Sequence, residues 1–152
     1  NVNKVLDDVV SGFLEREFQI ANIELVRNYE EAMPEISLDP DQIRQVFQNL
    51  INNAADAIED EGKITLTTRV RENTVQVEIS DTGRGMSREQ LGKIFFPFFT
   101  TKPAGKGTGL GLGISLSIVE AMGGSIDVQS VPGMGSVFTV NLPIRSGSDK
   151  TQ

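Results

Sequence analysis

The sequence predicts an α/β fold of the α+β kind, a two-layer arrangement in which helices cover one face of a β-sheet. Segments with a helical spacing of apolar residues alternate along the chain with segments in which every second residue is apolar. The second kind comes in pairs joined by short turns, which is typical of antiparallel hairpins. Sheets of this kind bury one face against helices, so both layers follow from the pattern.

Each element has a local signal. Asp39 is a candidate N-cap, Pro40 suits the first helical position, and Gln42 completes a capping-box pattern. Glu72 and Asn73 join two alternating segments as a tight hairpin. The predicted elements are a helix within Val2 to Phe18, a strand from Ile23 to Val26, a helix from Pro40 to about Glu59, strands over Ile64–Val70 and Val75–Ile79, a helix from Ile114 to Met122, and strands over Ile126–Gln129 and Val137–Leu142.

Length and composition restrict the function. The 152 residues fit one domain, which we expect to span 1–145, followed by a polar, disordered tail over 146–152. The formal charge of −7 offers no electrostatic basis for binding nucleic acid or anionic lipid. The lack of cysteine and histidine excludes thiolate and imidazole metal sites, catalysis by histidine, and a phosphohistidine on this chain.

The sequence has no membrane-spanning or secretory pattern. No apolar run approaches the ~20 residues that a transmembrane helix needs, and these 152 residues contain no signal-peptide pattern. We therefore expect a cytoplasmic domain without direct membrane contact. Because the chain starts at Asn1 and not at Met, we expect it to be part of a longer protein, which can itself be membrane-anchored.

A run of alternating glycines is the first chemical signal. The segment GTGLGLG, residues 107–113, directly precedes a predicted helix. Glycines let backbone N–H groups approach a ligand and a helix N-terminus attracts anions, which favours a phosphate cradle. A flexible linker is the alternative, but Leu110 and Leu112 favour burial. The spacing matches neither the P-loop pattern GxxxxGK[ST] nor the dinucleotide pattern GxGxxG.

Asparagines inside the long helix are the second signal, because asparagine is unfavourable in a helix interior. Asn49, Asn53 and Asp56 are spaced i, i+4, i+7 and form one stripe beside the apolar face. Neutral amide oxygens suit Mg²⁺, which takes few protein ligands and completes its shell with water and substrate phosphates. A solvated helix face is the alternative, and the phosphate loop elsewhere in the chain favours the metal-ligand interpretation.

Two further segments complete the set. DTGRGM, residues 81–86, lies at the end of a strand, and the Asp81 carboxylate there can accept a hydrogen bond from an exocyclic amine; taken alone, however, the segment predicts a plain turn. FFPFFTTK, residues 95–102, holds half of the 8 phenylalanines, and its proline disfavours a core strand, so it predicts a docking surface or a lid. Lys102 and Lys106 lie between this segment and the glycine run, within reach of phosphate oxygens.

In this order the four segments resemble the catalytic and ATP-binding domain of sensor histidine kinases. That family belongs to the GHKL superfamily, with gyrase-type, mismatch-repair and heat-shock-chaperone ATPases. FQNLINNAADAI looks like its N box, DTGRGM its first glycine box, FFPFFTTK its F box and GTGLGLGIS its second glycine box. The likeness covers nearly the whole chain, up to the closing GMGSVFTVNLP. It implies a Bergerat-type fold with a mixed, mainly antiparallel sheet, and a lid over ATP at about 87–106.

The resemblance also implies roles for single residues. Asn53 would be the Mg²⁺ ligand, with Asn49 assisting at metal or phosphate. Asp56 would line the nucleotide site, where the family often has a Lys or Arg, and Asp81 would bind the adenine amine. Around the base the expected contacts are Gly83, Gly85 and Met86, with Thr139 near the adenine. Lys102 and Lys106 would be catalytic together with Asn49. The expected phosphate contacts are Lys102, Lys106, Gly107, Thr108, Gly109, Leu110, Gly111 and Leu112.

The residue at position 49 bears on the reaction. In the superfamily's hydrolases a Glu at this position activates water, whereas the Asn49 amide cannot act as a base. The resemblance therefore implies a protein-histidine kinase domain that binds ATP or ADP with Mg²⁺ and presents the γ-phosphate to a histidine on a separate dimerisation domain. Phe95–Phe99 would contact that domain, and a response regulator would act downstream. Lacking a histidine, the isolated domain should be unable to autophosphorylate. Without the helices that would dimerise it, the domain is also expected to be monomeric.

Three alternatives stay open. A stand-alone relative resembling anti-sigma serine kinases would bind a sigma factor, although the FFPFFTTK box favours the sensor kinase. An ATP-gated clamp of the hydrolase branch would turn over ATP steadily, which Asn49 opposes. A scaffold without nucleotide conflicts with the intact glycine boxes.

Overall fold

The computed structural model of the chain describes residues 1–95 and 111–144. None of the helices in these ranges combines the length and the apolar character needed to cross a membrane. The elements are α1 (Val2–Val10), α2 (Phe13–Ile20), β1 (Ile23–Asn28), α3 (Pro40–Asp56), β2 (Gly62–Arg71), β3 (Thr74–Asp81), α4 (Arg88–Leu91), α5 (Gly111–Ala121), β4 (Ser125–Val131) and β5 (Gly135–Pro143).

The strands form one mixed sheet in the order β1-β2-β3-β5-β4. Strands β1 and β2 are parallel, and the other neighbouring pairs are antiparallel. Helix α3 connects the two parallel strands, since parallel neighbours need a crossover. Glu72 and Asn73 close the β2–β3 hairpin as predicted, and Glu72 has a positive φ of 54°. The predicted α/β fold with a mixed, mainly antiparallel sheet is confirmed.

The core lies between one face of the sheet and the helices. Along β3 the alternate residues Val75, Val77 and Ile79 are fully buried, while the residues between them are only partly covered. Helix α3 supplies the facing layer and contacts α1, α5 and β3. The apolar residues spaced along this helix and just beyond its end are buried: Ile43, Val46, Phe47, Leu50, Ala54 and Ile58.

The N-terminal segment forms two helices and not the single helix that its spacing predicts. Helix α1 ends at Val10, and the Ser11 N–H donates to the Asp7 carbonyl oxygen at 2.9 Å. Gly12 then has a φ of 73°, which interrupts the helix and is strained for other residues. The apolar spacing continues across this break, so periodicity alone cannot locate it.

Helix α3 begins where the sequence predicts and ends earlier. The Asp39 carboxylate accepts a hydrogen bond from the Asp41 N–H at 3.0 Å, and not from Gln42 as a capping box would require. The helix ends at Asp56 instead of near Glu59. The loop after β3 packs against this end and occupies its last carbonyl groups, which stops the helix.

Candidate functional site

Asn49, the first residue of the asparagine stripe on α3, contacts the beginning of α5. The Asn49 side-chain nitrogen donates to Ser115 Oγ at 3.2 Å and to the Gly111 carbonyl oxygen at 3.4 Å. These bonds orient the amide, and because the nitrogen makes both of them, Oδ1 is the atom that Asn49 can offer to a ligand. Asn53 lies one turn further along and is half-buried, and Asp56 is exposed at the end of the helix.

The last glycines of the alternating run lie inside α5. Within the described residues α5 begins at Gly111, three residues earlier than predicted. A Cβ on Gly113 would lie 3.0 Å from the Phe95 carbonyl oxygen, and one on Gly111 would lie 3.7 Å from Asn49 Cγ. Gly113 therefore lets α5 pack closely against Phe95, a structural use that the phosphate-cradle prediction did not include. At Gly111 a Cβ would make only an ordinary van der Waals contact.

A buried carboxylate lies at the end of β3. Asp81 is 5% exposed, and its Oδ1 accepts a hydrogen bond from the Gly83 N–H at 2.8 Å. Burial raises the pKa of the Asp81 carboxyl, although the N–H groups of Gly83 and Ser136 and the charge of Arg84 act in the opposite direction. A carboxylate has about four lone-pair directions, so Asp81 keeps acceptor capacity for an amine.

The DTGRGM loop is held against the end of α3. The Arg84 backbone N–H donates to the Ala57 carbonyl oxygen at 3.0 Å, and the Arg84 guanidinium donates to the Asp56 carbonyl oxygen at 3.1 Å. Both acceptors belong to the group of carbonyls that a helix end leaves unpaired. A Cβ on Gly83 would overlap the Ala57 carbonyl oxygen. The segment is therefore a helix-capping device as well as a turn.

The second half of this loop packs against the end of β4. Gly85 has a φ of 69°, and a Cβ there would overlap the Val131 carbonyl oxygen. The Met86 N–H donates to Ser130 Oγ at 2.7 Å, and the Met86 side chain packs against the hydrophobic core. Gly83, Gly85 and Met86 thus lie together, in contact with α3 on one side and β4 on the other.

The sheet separates Thr139 from the Asp81 carboxylate. Asp81 is paired with Ser136 across β3 and β5, whereas Thr139 is paired with Glu78. Because side chains alternate between the two faces, Ser136 shares the helix-covered face with Asp81, and Thr139 lies on the other face. Ser136 is 6% exposed. The sequence analysis did not single out Ser136, although the apolar alternation along β5 indicates that it shares a face with Phe138 and Val140.

The first part of the predicted lid is folded. Helix α4 starts with a capping box between Ser87 and Gln90, and Ile94 is buried in the core. Other predicted positions lie outside the described residues: Phe96–Phe99, Lys102, Lys106, Gly107, Thr108, Gly109, Leu110 and the tail 146–152.

The donor set of the stripe fits Mg²⁺ that is accompanied by a phosphate ligand. The described parts of the chain contain no cluster of three or more His, Cys, Asp or Glu residues suited to a metal ion. The amide oxygens of Asn49 and Asn53 are neutral, hard donors, and Asn49 Oδ1 is oriented by the two bonds of its nitrogen. Mg²⁺ commonly takes one or two protein oxygens and obtains the others from phosphates and water.

Comparison with known proteins shows the family. The model for the "Histidine kinase-, DNA gyrase B-, and HSP90-like ATPase" family matches residues 38–146, well over half of the chain. The sensor histidine kinase ZraS of Klebsiella oxytoca is 42% identical over 131 residues, 86% of this chain and 28% of that protein. Sporulation kinase E of Bacillus subtilis (strain 168) is 32% identical over 151 residues, 99% of this chain and 20% of that protein. The chain therefore spans less than a third of these relatives.

Solved structures show the same architecture. The nucleotide-free catalytic domain of histidine kinase ThkA has a TM-score of 0.85 at 33% identity, covering 95% of this chain and 93% of that one. ThkA in complex with the response regulator protein TrrA has a TM-score of 0.81 at 30% identity, covering 95% and 41%. Full-length ShkA in complex with AMPPNP has a TM-score of 0.85 at 26% identity, covering 97% and 31%. The chain belongs to the histidine kinase-, DNA gyrase B- and HSP90-like ATPase family and has the fold of the ATP-binding catalytic domains of histidine kinases.

Proposed function

We propose that this chain is the catalytic domain of a sensor histidine kinase, which binds ATP or ADP with Mg²⁺ and presents the γ-phosphate to a histidine on another domain. The observation that carries the proposal is the buried Asp81 carboxylate, which lies beside the glycine loop that caps α3. A buried charge needs hydrogen-bond donors, and the exocyclic amine of adenine would supply one. Ser136 takes the place of Thr139 as the second residue proposed to lie near the base.

The phosphate end of the site follows from the asparagine stripe. Asn53 and Asn49 Oδ1 would hold Mg²⁺, which when bound neutralises charge on the phosphates. Lys102, Lys106 and the glycines and neighbours of residues 107–112 would hold the phosphates, and Asp56 would line the site. The Asn49 amide cannot accept a proton from water, so this site would favour transfer to a protein side chain over hydrolysis.

The acceptor must come from another domain, because this sequence contains no histidine. We infer that Phe95–Phe99 contacts a dimerisation and phosphoacceptor domain and that a response regulator acts downstream, as in the ThkA complex with TrrA. We also infer that the isolated domain is monomeric, works in the cytoplasm, and binds neither membranes nor nucleic acids, in line with its charge of −7.

Titration calorimetry of ADP into the isolated chain, with and without Mg²⁺ and with GDP as the control, tests the nucleotide site. We expect adenine-selective binding that Mg²⁺ strengthens. A chain that binds neither nucleotide under any of these conditions would refute the proposal.

Incubation with γ-labelled ATP tests the reaction. We expect no label on the isolated chain, and label on a histidine-containing dimerisation domain of a related kinase when that domain is added. Label on the chain itself would contradict the need for an external acceptor. Steady ATP hydrolysis would instead favour an ATP-gated clamp, and tight binding of a sigma factor would favour the anti-sigma class.

A further inference from the structure

A single hydroxyl connects three segments of backbone beside the proposed adenine site. Ser130 Oγ, on β4, accepts a hydrogen bond from the Met86 N–H at 2.7 Å. It also lies 3.0 Å from the Gly135 carbonyl oxygen and 2.8 Å from Ser136 Oγ. Met86 belongs to the loop after β3, and the other two residues belong to β5, so Ser130 links β4 to the loop that follows Asp81 and to the strand paired with it.

The number of available hydrogens determines the direction of these bonds. A serine hydroxyl has one donor hydrogen and two acceptor lone pairs. The Met86 N–H uses one lone pair of Ser130, and the Gly135 carbonyl, which can only accept, takes the hydrogen. The contact with Ser136 then falls on the second lone pair of Ser130. All three bonds are therefore made together only when the Ser136 hydroxyl is the donor.

This direction changes what the pocket presents to a ligand. Ser136 is paired with Asp81 across the strands and lies on the same face of the sheet. With its hydrogen engaged by Ser130, Ser136 Oγ has only lone pairs to offer, as does the ionised Asp81 carboxylate. The two side chains form a pair of acceptors, which suits the exocyclic amine of adenine. Guanine has a carbonyl oxygen at that position, and this oxygen would face the two acceptors of Ser136 and Asp81 without a hydrogen to share.

We propose that Ser130 is a positioning residue for base selectivity: by accepting the Ser136 hydrogen, it keeps the pocket free of a donor at the position where adenine and guanine differ. The inference rests on the proposed function, since it requires a nucleotide base beside Asp81. Ser130 acts through Ser136 and has no contact with the base in this account.

Calorimetric titration of ADP and GDP into the Ser130→Ala variant tests the inference. Without the Ser130 hydroxyl, the Ser136 hydrogen can turn towards a guanine carbonyl. We expect the ratio of ADP to GDP affinity to fall about threefold to tenfold, the scale of one ordinary hydrogen bond. Ser130→Thr retains the hydroxyl and should restore the ratio. Ser125→Ala, the matched control on the same strand, removes a hydroxyl that accepts from Asn141 and should leave the ratio unchanged.

A second variant keeps the test decisive where Ser130→Ala does not fold. Ser136→Ala preserves the bonds of Ser130 to Met86 and Gly135 and removes one acceptor, so the affinity ratio should fall here too. Equal losses of ADP and GDP affinity in the folded variants would indicate a merely structural role and would overturn the inference. A wild-type chain that binds neither nucleotide would overturn the proposed function, whereas an unchanged ratio in a nucleotide-binding variant would overturn only the role of Ser130.

Discussion

Gly83 is a position where an added methyl group should disturb the structure directly. A Cβ there would overlap the Ala57 carbonyl oxygen and lie 2.8 Å from Ala57 Cβ. Both atoms belong to the residue that follows α3, so neither can turn aside as a flexible side chain can. Gly83→Ala should therefore push the loop away from the helix and lengthen the two Arg84 hydrogen bonds, which are now 3.0 and 3.1 Å long.

The size of the effect follows from these contacts. Overpacking in a dense region costs about 1–3 kcal/mol, and each weakened hydrogen bond costs about 1 kcal/mol. Because a shift of the loop relieves part of the overlap while it weakens the bonds, we expect Gly83→Ala to lower the free energy of unfolding by about 3 kcal/mol. For a domain of this size the corresponding fall in Tm is roughly 6–12 °C.

Urea unfolding followed by circular dichroism measures this loss, with Gly92→Ala as the matched control. A Cβ at Gly92 would meet no atom closer than 3.5 Å, and its φ of −70° suits alanine. The control should stay within about 0.5 kcal/mol of the wild type or gain slightly. A Gly83→Ala variant within that same margin would refute the reasoning, because the loop would then be able to leave α3 without cost.

Three further predictions concern Asp81 and Asn49. Asp81→Asn should weaken ADP roughly tenfold to a hundredfold, the scale of a hydrogen bond to a charged group, and should narrow the preference over GDP in calorimetry; an unchanged preference would contradict the assigned contact. The pKa of Asp81 is raised above its ordinary value of 3.8, so its protonation stabilises the native state at low pH and this contribution is lost as pH rises through the folded pKa. The free energy of unfolding of the wild type, measured relative to Asp81→Asn, should thus increase as pH falls from 7 towards 4, and a flat difference would mean that burial does not perturb this carboxyl. Asn49→Asp replaces the amide that donates to Ser115 and Gly111 with a carboxylate, which should lower the free energy of unfolding in urea by about 1–3 kcal/mol. A variant as stable as the wild type would rule out the orienting role of these bonds.

The fold was predictable wherever a few neighbouring residues determine the backbone. Asp39 and Pro40 mark the start of α3, and Glu72 and Asn73 mark the first hairpin, because capping and turn formation depend on adjacent groups. The break in the N-terminal helix was missed, since Gly12 interrupts a segment whose apolar spacing continues on both sides. The end of α3 was also misplaced, because a loop that is distant in sequence supplies its cap.

The residues of the candidate site were also predictable only in part. Residue types alone pointed to an acceptor at Asp81 and to a neutral stripe at Asn49 and Asn53. Thr139 was expected near the adenine only from the family resemblance, which does not specify the face of the sheet on which a side chain lies. The strand register places Ser136 on the same face of the sheet as Asp81 and Thr139 on the opposite face, because side chains alternate along a strand.

The four boxes in their order indicated the family. Periodicity, capping and residue type indicated the fold class and the chemical groups available, because these signals act over short stretches of chain. The tertiary structure alone decided how those groups are oriented. The Asn49 amide is fixed by Ser115, which is 66 positions away, and the Met86 N–H by Ser130, which is 44 positions away. A hydrogen bond between distant residues depends on the packing of the elements that carry them, and that packing has no signature in the local sequence.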